Sequence, residues 1–225
     1  MPLRHAQTVI IPPAIEPVSV AEMRAYAKIV DVVADSAIAD LIATARAAAE
    51  LYTGRAFITQ TIRMTLLGCS AGRAPWFPGH FQLPVDYFDG AFPDCLALPT
   101  EPVQSVTSIT TFDGSNVGTI YPPANYGLFG NRIALNAGYY WPSPLRIHSP
   151  AEIVYVAGYG DMPQDVPAPI RMAIKIQARG MFDSDSGGKV KMYKAGDGTI
   201  EYFEGGGDVS TTVASLLAPY RIIRL

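Results

Sequence analysis

Between Asp35 and Gly54, the apolar residues Ile38, Leu41, Ile42, Ala45, Ala49 and Tyr52 recur at helical spacing and line one stripe. Asp35 or Ser36 is placed to cap this helix, and Gly54 stands where a left-handed closing residue is wanted. The many alanines between them let another element approach closely. Upstream, Ser19-Val20-Ala21-Glu22 has the form of a capping box: the Ser19 hydroxyl can accept from the Glu22 amide, and the Glu22 carboxylate from the Ser19 amide. A short helix is expected from there to about Val30. The proline-bearing stretch Met1–Pro17 reads as an extended arm.

The period then changes. From Ile58 to Leu66, the apolar Ile58, Ile62, Met64 and Leu66 alternate with Thr59, Thr61, Arg63 and Thr65, the pattern of a half-buried strand. A second strand is predicted over Val103–Phe112, turning at Asp113-Gly114, with a return arm over Gly118–Tyr121. Shorter strands are expected at Asn131–Leu135 and Glu152–Val156. Between the first two lies Gly68–Asp94, which holds four prolines and the aromatics Trp76, Phe77, Phe81, Tyr87, Phe88 and Phe92. Its apolar content favours a loop that packs against something, a neighbouring subunit being one candidate.

Pro167 and Pro169 suit the first turn of a third helix, where a missing amide proton costs nothing. Ile170, Ala173, Ile174, Gln177 and Met181 then fall on one face. The run Asp183–Asp208, rich in Gly, Ser and charge, is expected to be mobile before assembly. A short last helix from Ser210 or Thr211 to Leu217 is stopped by Pro219. The fold class is therefore α+β: an N-terminal helix pair and a further helix packed with a small, mostly antiparallel β module, with long loops and an extended C-terminal tail. As one domain over 1–225, it divides into an arm (1–17), a helical part (18–56), a β-rich part (57–160) with the insertion 68–94, a helix (166–182), the mobile segment (183–208) and a closing helix with its tail (209–225).

Composition narrows the function more than it names one. The chain is 49% hydrophobic but only 16% charged, against about 25% for an average domain. Large shared interfaces would account for that deficit. A net charge of −3 with no Lys/Arg run argues against gripping nucleic-acid phosphates. No signal peptide is visible, and no apolar run approaches the roughly 18 residues that a membrane span needs.

Catalytic signatures are scarce. Gly187-Gly188-Lys189 lacks the upstream glycine and the following Ser/Thr of a phosphate loop. Gly158-Tyr159-Gly160 reads as a turn. The histidines His5, His80 and His148 stand far apart, without metal-ligand spacing or a nucleophile elbow. Asp161 and Asp165 could form a carboxylate pair, but acids before a helix are more simply explained by the dipole at its start. Cys69 and Cys95 form no metal framework; they could be bridged, and free thiols fit a reducing cytoplasm. No catalytic residue, metal or cofactor is assigned.

Five stretches, taken in order, carry a resemblance: Pro17-Val18-Ser19-Val20-Ala21-Glu22; Ala47–Arg55 with its Tyr52-Thr53-Gly54-Arg55 ending; Pro102–Ile109; Val156-Ala157-Gly158-Tyr159-Gly160 leading into Val166–Arg171; and Leu216–Arg221. The layout is similar to the head-tail adaptor (head-completion or connector) proteins of long-tailed bacteriophages and gene transfer agents. That resemblance implies a structural virion protein at the head-tail neck, assembled in the host bacterial cytoplasm. It implies a ring, expected to be dodecameric, seated between the portal protein and the next neck, stopper or tail-terminator protein. Genomic DNA would pass through the channel without specific binding, and no membrane is involved. The portal anchor would be Pro219, Tyr220, Arg221, Ile222, Ile223, Arg224 and Leu225. Trp76, Phe77, Phe81, Tyr87 and Phe88 are the candidates for an inter-subunit or neck interface. Other roles to weigh are a tail-completion or capsid-decorating protein and a glycan-binding or hydrolytic module on the β region.

Overall fold

The structure, a computed structural model, describes residues 5–29, 34–67, 95–146, 148–185, 192–195, 198–201 and 211–222. The insertion with Trp76, Phe77, Phe81, Tyr87 and Phe88 lies outside them, as do Cys69, His80, Gly187-Gly188-Lys189, Ile223, Arg224 and Leu225. In chain order the elements are β1 (His5–Ile11), α1 (Val20–Ala27), α2 (Asp35–Thr53), β2 (Gln60–Leu66), β3 (Cys95–Ala97), β4 (Val103–Phe112), β5 (Gly118–Ile120), β6 (Tyr126–Phe129), β7 (Arg132–Leu135), β8 (Ala151–Ala157), α3 (Ala168–Asp185), β9 (Met192–Ala195), β10 (Gly198–Glu201) and α4 (Thr211–Leu217). The class is α+β, as the pattern predicts. The elements sort into two compact units, one of residues 1–12 and 59–158, the other of 13–58 and 159–225.

The second unit is helical. Its core brings together Ile38, Ile42, Ala45 and Ala49 of α2, Ile170, Ala173, Ile174 and Ala178 of α3, Val213 and Leu217 of α4, and Met23 of α1. Ile38, Ile42, Ala45, Ala49, Ile170, Ala173 and Ile174 belong to the stripes that the helical period marked, and the small alanines seat the helices close together. Ser19 caps α1 as expected, accepting from the Glu22 amide at 3.2 Å while Glu22 accepts from the Ser19 amide at 3.1 Å. The helix stops at Ala27, short of Val30, because Lys28 takes a left-handed conformation with φ 54°. At the start of α3 the Pro167 carbonyl accepts from the amides of Ile170 and Arg171. Asp165 sits just before, its carboxylate accepting from the Met162 amide at 2.9 Å, a local backbone contact ahead of the helix. In the run 183–208, the helix continues to Asp185 and β9 pairs antiparallel with β10. Its remaining residues are outside the described ones.

The first unit is built on an antiparallel sheet ordered β1-β2-β8-β4-β5, with a smaller sheet ordered β3-β7-β6. Opposed residues share a face, so Ile62 and Met64 of β2 align with Tyr155 and Ile153 of β8, and Ile153 with Ile109 of β4. All are buried, as are Leu96 of β3 and Ile133 of β7. The Tyr155 hydroxyl meets the Gln7 side-chain amide at 2.8 Å, which ties β1 across β2.

Two local readings change. The stretch expected as an arm carries β1, which pairs with β2 from His5–Leu66 to Ile11–Thr61. Its unbroken Val9-Ile10-Ile11 lacks the alternation that betrays a strand, and a bulge falls there. The Asp113-Gly114 turn is present, yet the positive φ belongs to Asn116, at 63°. The Asp113 carboxylate shapes it by accepting from the amides of Ser115 at 2.8 Å and Val117 at 2.9 Å.

Candidate functional site

Among the described residues, no group of three His, Cys, Asp or Glu side chains could hold a metal ion. His148 and Cys95 are exposed, and Cys95 is a free thiol. What the fold does assemble is a seat for the residues after α4.

The helix α4 runs into a 3-10 turn at Ala218–Tyr220, with Pro219 in its first positions. The next residues return to the end of α2, where four consecutive side chains or backbone groups receive them. The Thr53 carbonyl accepts from the Ile222 amide at 2.9 Å. Arg55 donates through Nε to the Tyr220 carbonyl at 2.6 Å. The Arg221 guanidinium stands 5.3 Å from the centre of the Tyr52 ring. Gly54 closes α2 in the left-handed region at φ 74°, and a Cβ there would lie 3.4 Å from Ile222 Cδ1. The Tyr52-Thr53-Gly54-Arg55 sequence is thus the receptor for Tyr220–Ile222. Tyr220 is half-buried against the helical core, so it serves the fold as well as any partner.

This seat is braced by a buried ion network. Arg46 donates through Nε to Glu16 at 2.7 Å and through Nη1 to Glu50 at 2.6 Å. Glu50 also accepts from the Phe57 amide at 2.9 Å, which fixes the chain just after the receptor motif. The Arg46 and Glu50 side chains are only 14% and 15% exposed. Burial pushes the Glu50 carboxyl above the usual range, since desolvation outweighs Arg46 and the Phe57 amide. Burial alone would lower the Arg46 guanidinium, but its two carboxylates outweigh that and raise it.

Of the portal-anchor residues expected from the sequence, Tyr220, Arg221 and Ile222 meet the end of α2, and Pro219 lies in the turn before them. The Tyr-Thr-Gly-Arg receptor was not foreseen as their partner, because the two stretches are separated by most of the chain. Gly54→Ala is expected to lower stability by about 1–2 kcal/mol, the cost of a left-handed non-glycine residue, without displacing Ile222. Urea unfolding measures it, and an unchanged midpoint would contradict the left-handed cap.

No protein-family model matches the sequence, and no curated protein matches it. Similar chains occur among solved structures. A chain in the virion of a native gene transfer agent particle matches with a TM-score of 0.66 at 19% identity, over 97% of this chain and 96% of that one. A chain in the neck of the empty particle, computed with C6 symmetry, matches at 0.65 and 20% identity, over 99% and 97%. One in the neck of the native particle, computed with C12 symmetry, matches at 0.62 and 21% identity, over 99% and 97%. The fold is therefore one found in chains of that virion and its neck. At these identities the shared property is the fold, and it extends along the whole of both chains.

Proposed function

We propose that the chain is a structural, non-enzymatic subunit of a particle neck. It forms a ring between the portal protein and the next neck, stopper or tail-terminator protein, and so joins head to tail. The observation that carries this reading is the end-to-end likeness to neck chains, which accounts for the β unit and the helical unit together. The net charge of −3 suits a channel through which DNA slides, since an acidic wall offers phosphates no grip. A ring of copies, twelve by expectation, also fits the low charged fraction. In this reading the residues from Pro219 to Leu225 meet the portal, and the aromatic insertion meets a neighbouring subunit or the next neck protein.

The test is electron microscopy of particles from a producer strain lacking the gene. Filled heads that retain the portal but carry no tails are the expected result. Normal tailed particles would overturn the reading and favour a decorating role.

A further inference from the structure

Both edges of the five-stranded sheet are open among the described residues: β1 has β2 as its only ladder partner, and β5 has only β4. Both edges are also apolar. On β1, Val9, Ile10 and Ile11 are 49%, 41% and 59% exposed, and at β5 Val117 and Ile120 are 57% and 66% exposed. No charge or proline interrupts Ala6–Ile11. Sheet edges that face water are usually guarded by lysine, proline or an inward-pointing charge, because a bare edge is a template for another strand. Val9 shows the same incompleteness from the inside. It opposes the buried Ile62, on the core-facing side of the sheet, yet half of it remains exposed. The core face runs on past the end of the sheet.

We propose that β1 of one copy pairs with the β5 edge of the next, so that the sheets of neighbouring subunits continue into one another around the ring. This rests on the ring reading above. The strand order supports the geometry. Each neighbouring pair in β1-β2-β8-β4-β5 is antiparallel, and with five strands the two outer ones run in the same direction. Subunits related by a rotation about a ring axis then present β5 and β1 to each other as a parallel pair. Such a contact uses two different surfaces and propagates until the ring closes. A twofold β1–β1 contact would instead be antiparallel and would stop at a dimer. Because β5 has three residues, the ladder is short, and contact of Ile11 with Ile120, both on the face opposite the core, supplements it. One such contact is weak, but a closed ring repeats it at every boundary.

The experiment uses particles assembled in producer cells on a Cys69→Ser, Cys95→Ser background. Thr8→Cys on β1 and Ile120→Cys on β5 lie on the same face of the sheet, opposite the core, and a short bismaleimide is added to the purified particles. The expected result is a ladder of cross-linked multimers on a denaturing gel when both cysteines are present, and no cross-linking from either alone. Dimers from Thr8→Cys alone would overturn the proposal in favour of twofold pairing. Particles that contain the doubly substituted chain but give no ladder would overturn it while leaving the ring reading intact. A wild-type chain absent from particles would overturn the ring reading and this inference with it. Independently, Val9→Lys with Ile11→Lys is expected to give a folded chain incorporated at least ten-fold less. Incorporation at the wild-type level would overturn the proposal.

Discussion

Replacing Arg46 by Ala is expected to cost about 3–5 kcal/mol of folding stability at neutral pH, because it removes one partner of a largely buried ion pair. The size follows from the geometry. Arg46 is shared by Glu16 and Glu50, so both carboxylates lose the guanidinium while Glu50 keeps its Phe57 amide bond. The pH dependence gives the prediction a second handle. Glu50 is raised in the folded protein, so the folded state holds its proton more tightly than the unfolded chain does. Its contribution is fully present below the unfolded carboxylate value, near 4.3, and is lost as pH rises through its raised folded value. Without Arg46 the carboxyl is raised further. The deficit of the variant should therefore be largest at neutral pH and shrink on acidification towards the ordinary carboxylate range. Denaturant unfolding at several pH values measures both. A deficit under about 1 kcal/mol, or one that grows on acidification, would mean that the network does not brace the end of α2.

The second large effect concerns assembly. Ending the chain after Ile222 is expected to abolish tailed particles while changing stability by no more than about 0.5 kcal/mol. The bonds that seat this segment on α2 are made by Tyr220 and Ile222, so they survive the truncation. Ile222→Asp is the complementary variant. It places a charge against the Gly54 backbone and should cost stability as well as tail joining. Counting tailed particles by microscopy alongside thermal unfolding separates the two. Truncated particles that still carry tails would remove Ile223–Leu225 from the proposed portal contact. Pairing Tyr220→Asp with Ile223→Asp would be a poorer test, because Tyr220 packs against the helical core.

The helices and half of the strands of this fold were legible because their signals are local. The capping box at Ser19, the stripe from Ile38 to Tyr52 and the alternation from Ile58 to Leu66 each name their own element. Strand β1 was not legible, because Val9-Ile10-Ile11 gives no period and the bulge lies within it. Strands β3 and β6, three and four residues long, are too brief to show a period. Likewise β9 and β10 sit in a Gly-rich run whose composition resembles a linker. The seat for Tyr220–Ile222 was hidden for a different reason. Tyr52-Thr53-Gly54-Arg55 and Leu216–Arg221 each stood out in the sequence, but their contact is made through backbone carbonyls, a ring face and the missing Cβ of a glycine. None of those leaves a mark in composition or spacing. The Arg46 network was equally silent, since an arginine four residues before a glutamate on a helix is ordinarily a solvated pair.

The division of the chain sets the order in which the protein can fold. Helix α2 is made early, but its partners α3 and α4 follow only after the whole run from Thr59 to Gly158, which belongs to the other unit. The helical core is therefore a high-contact-order structure although it consists of helices, which usually close quickly through near neighbours. During synthesis the apolar stripe of α2 must wait, uncovered, while the β unit is completed. A ribosome that stalls anywhere within the β unit releases a chain with no helical core and no Tyr220–Ile222 clasp. Such a fragment would also lack the whole of Pro219–Leu225, the segment proposed to meet the portal.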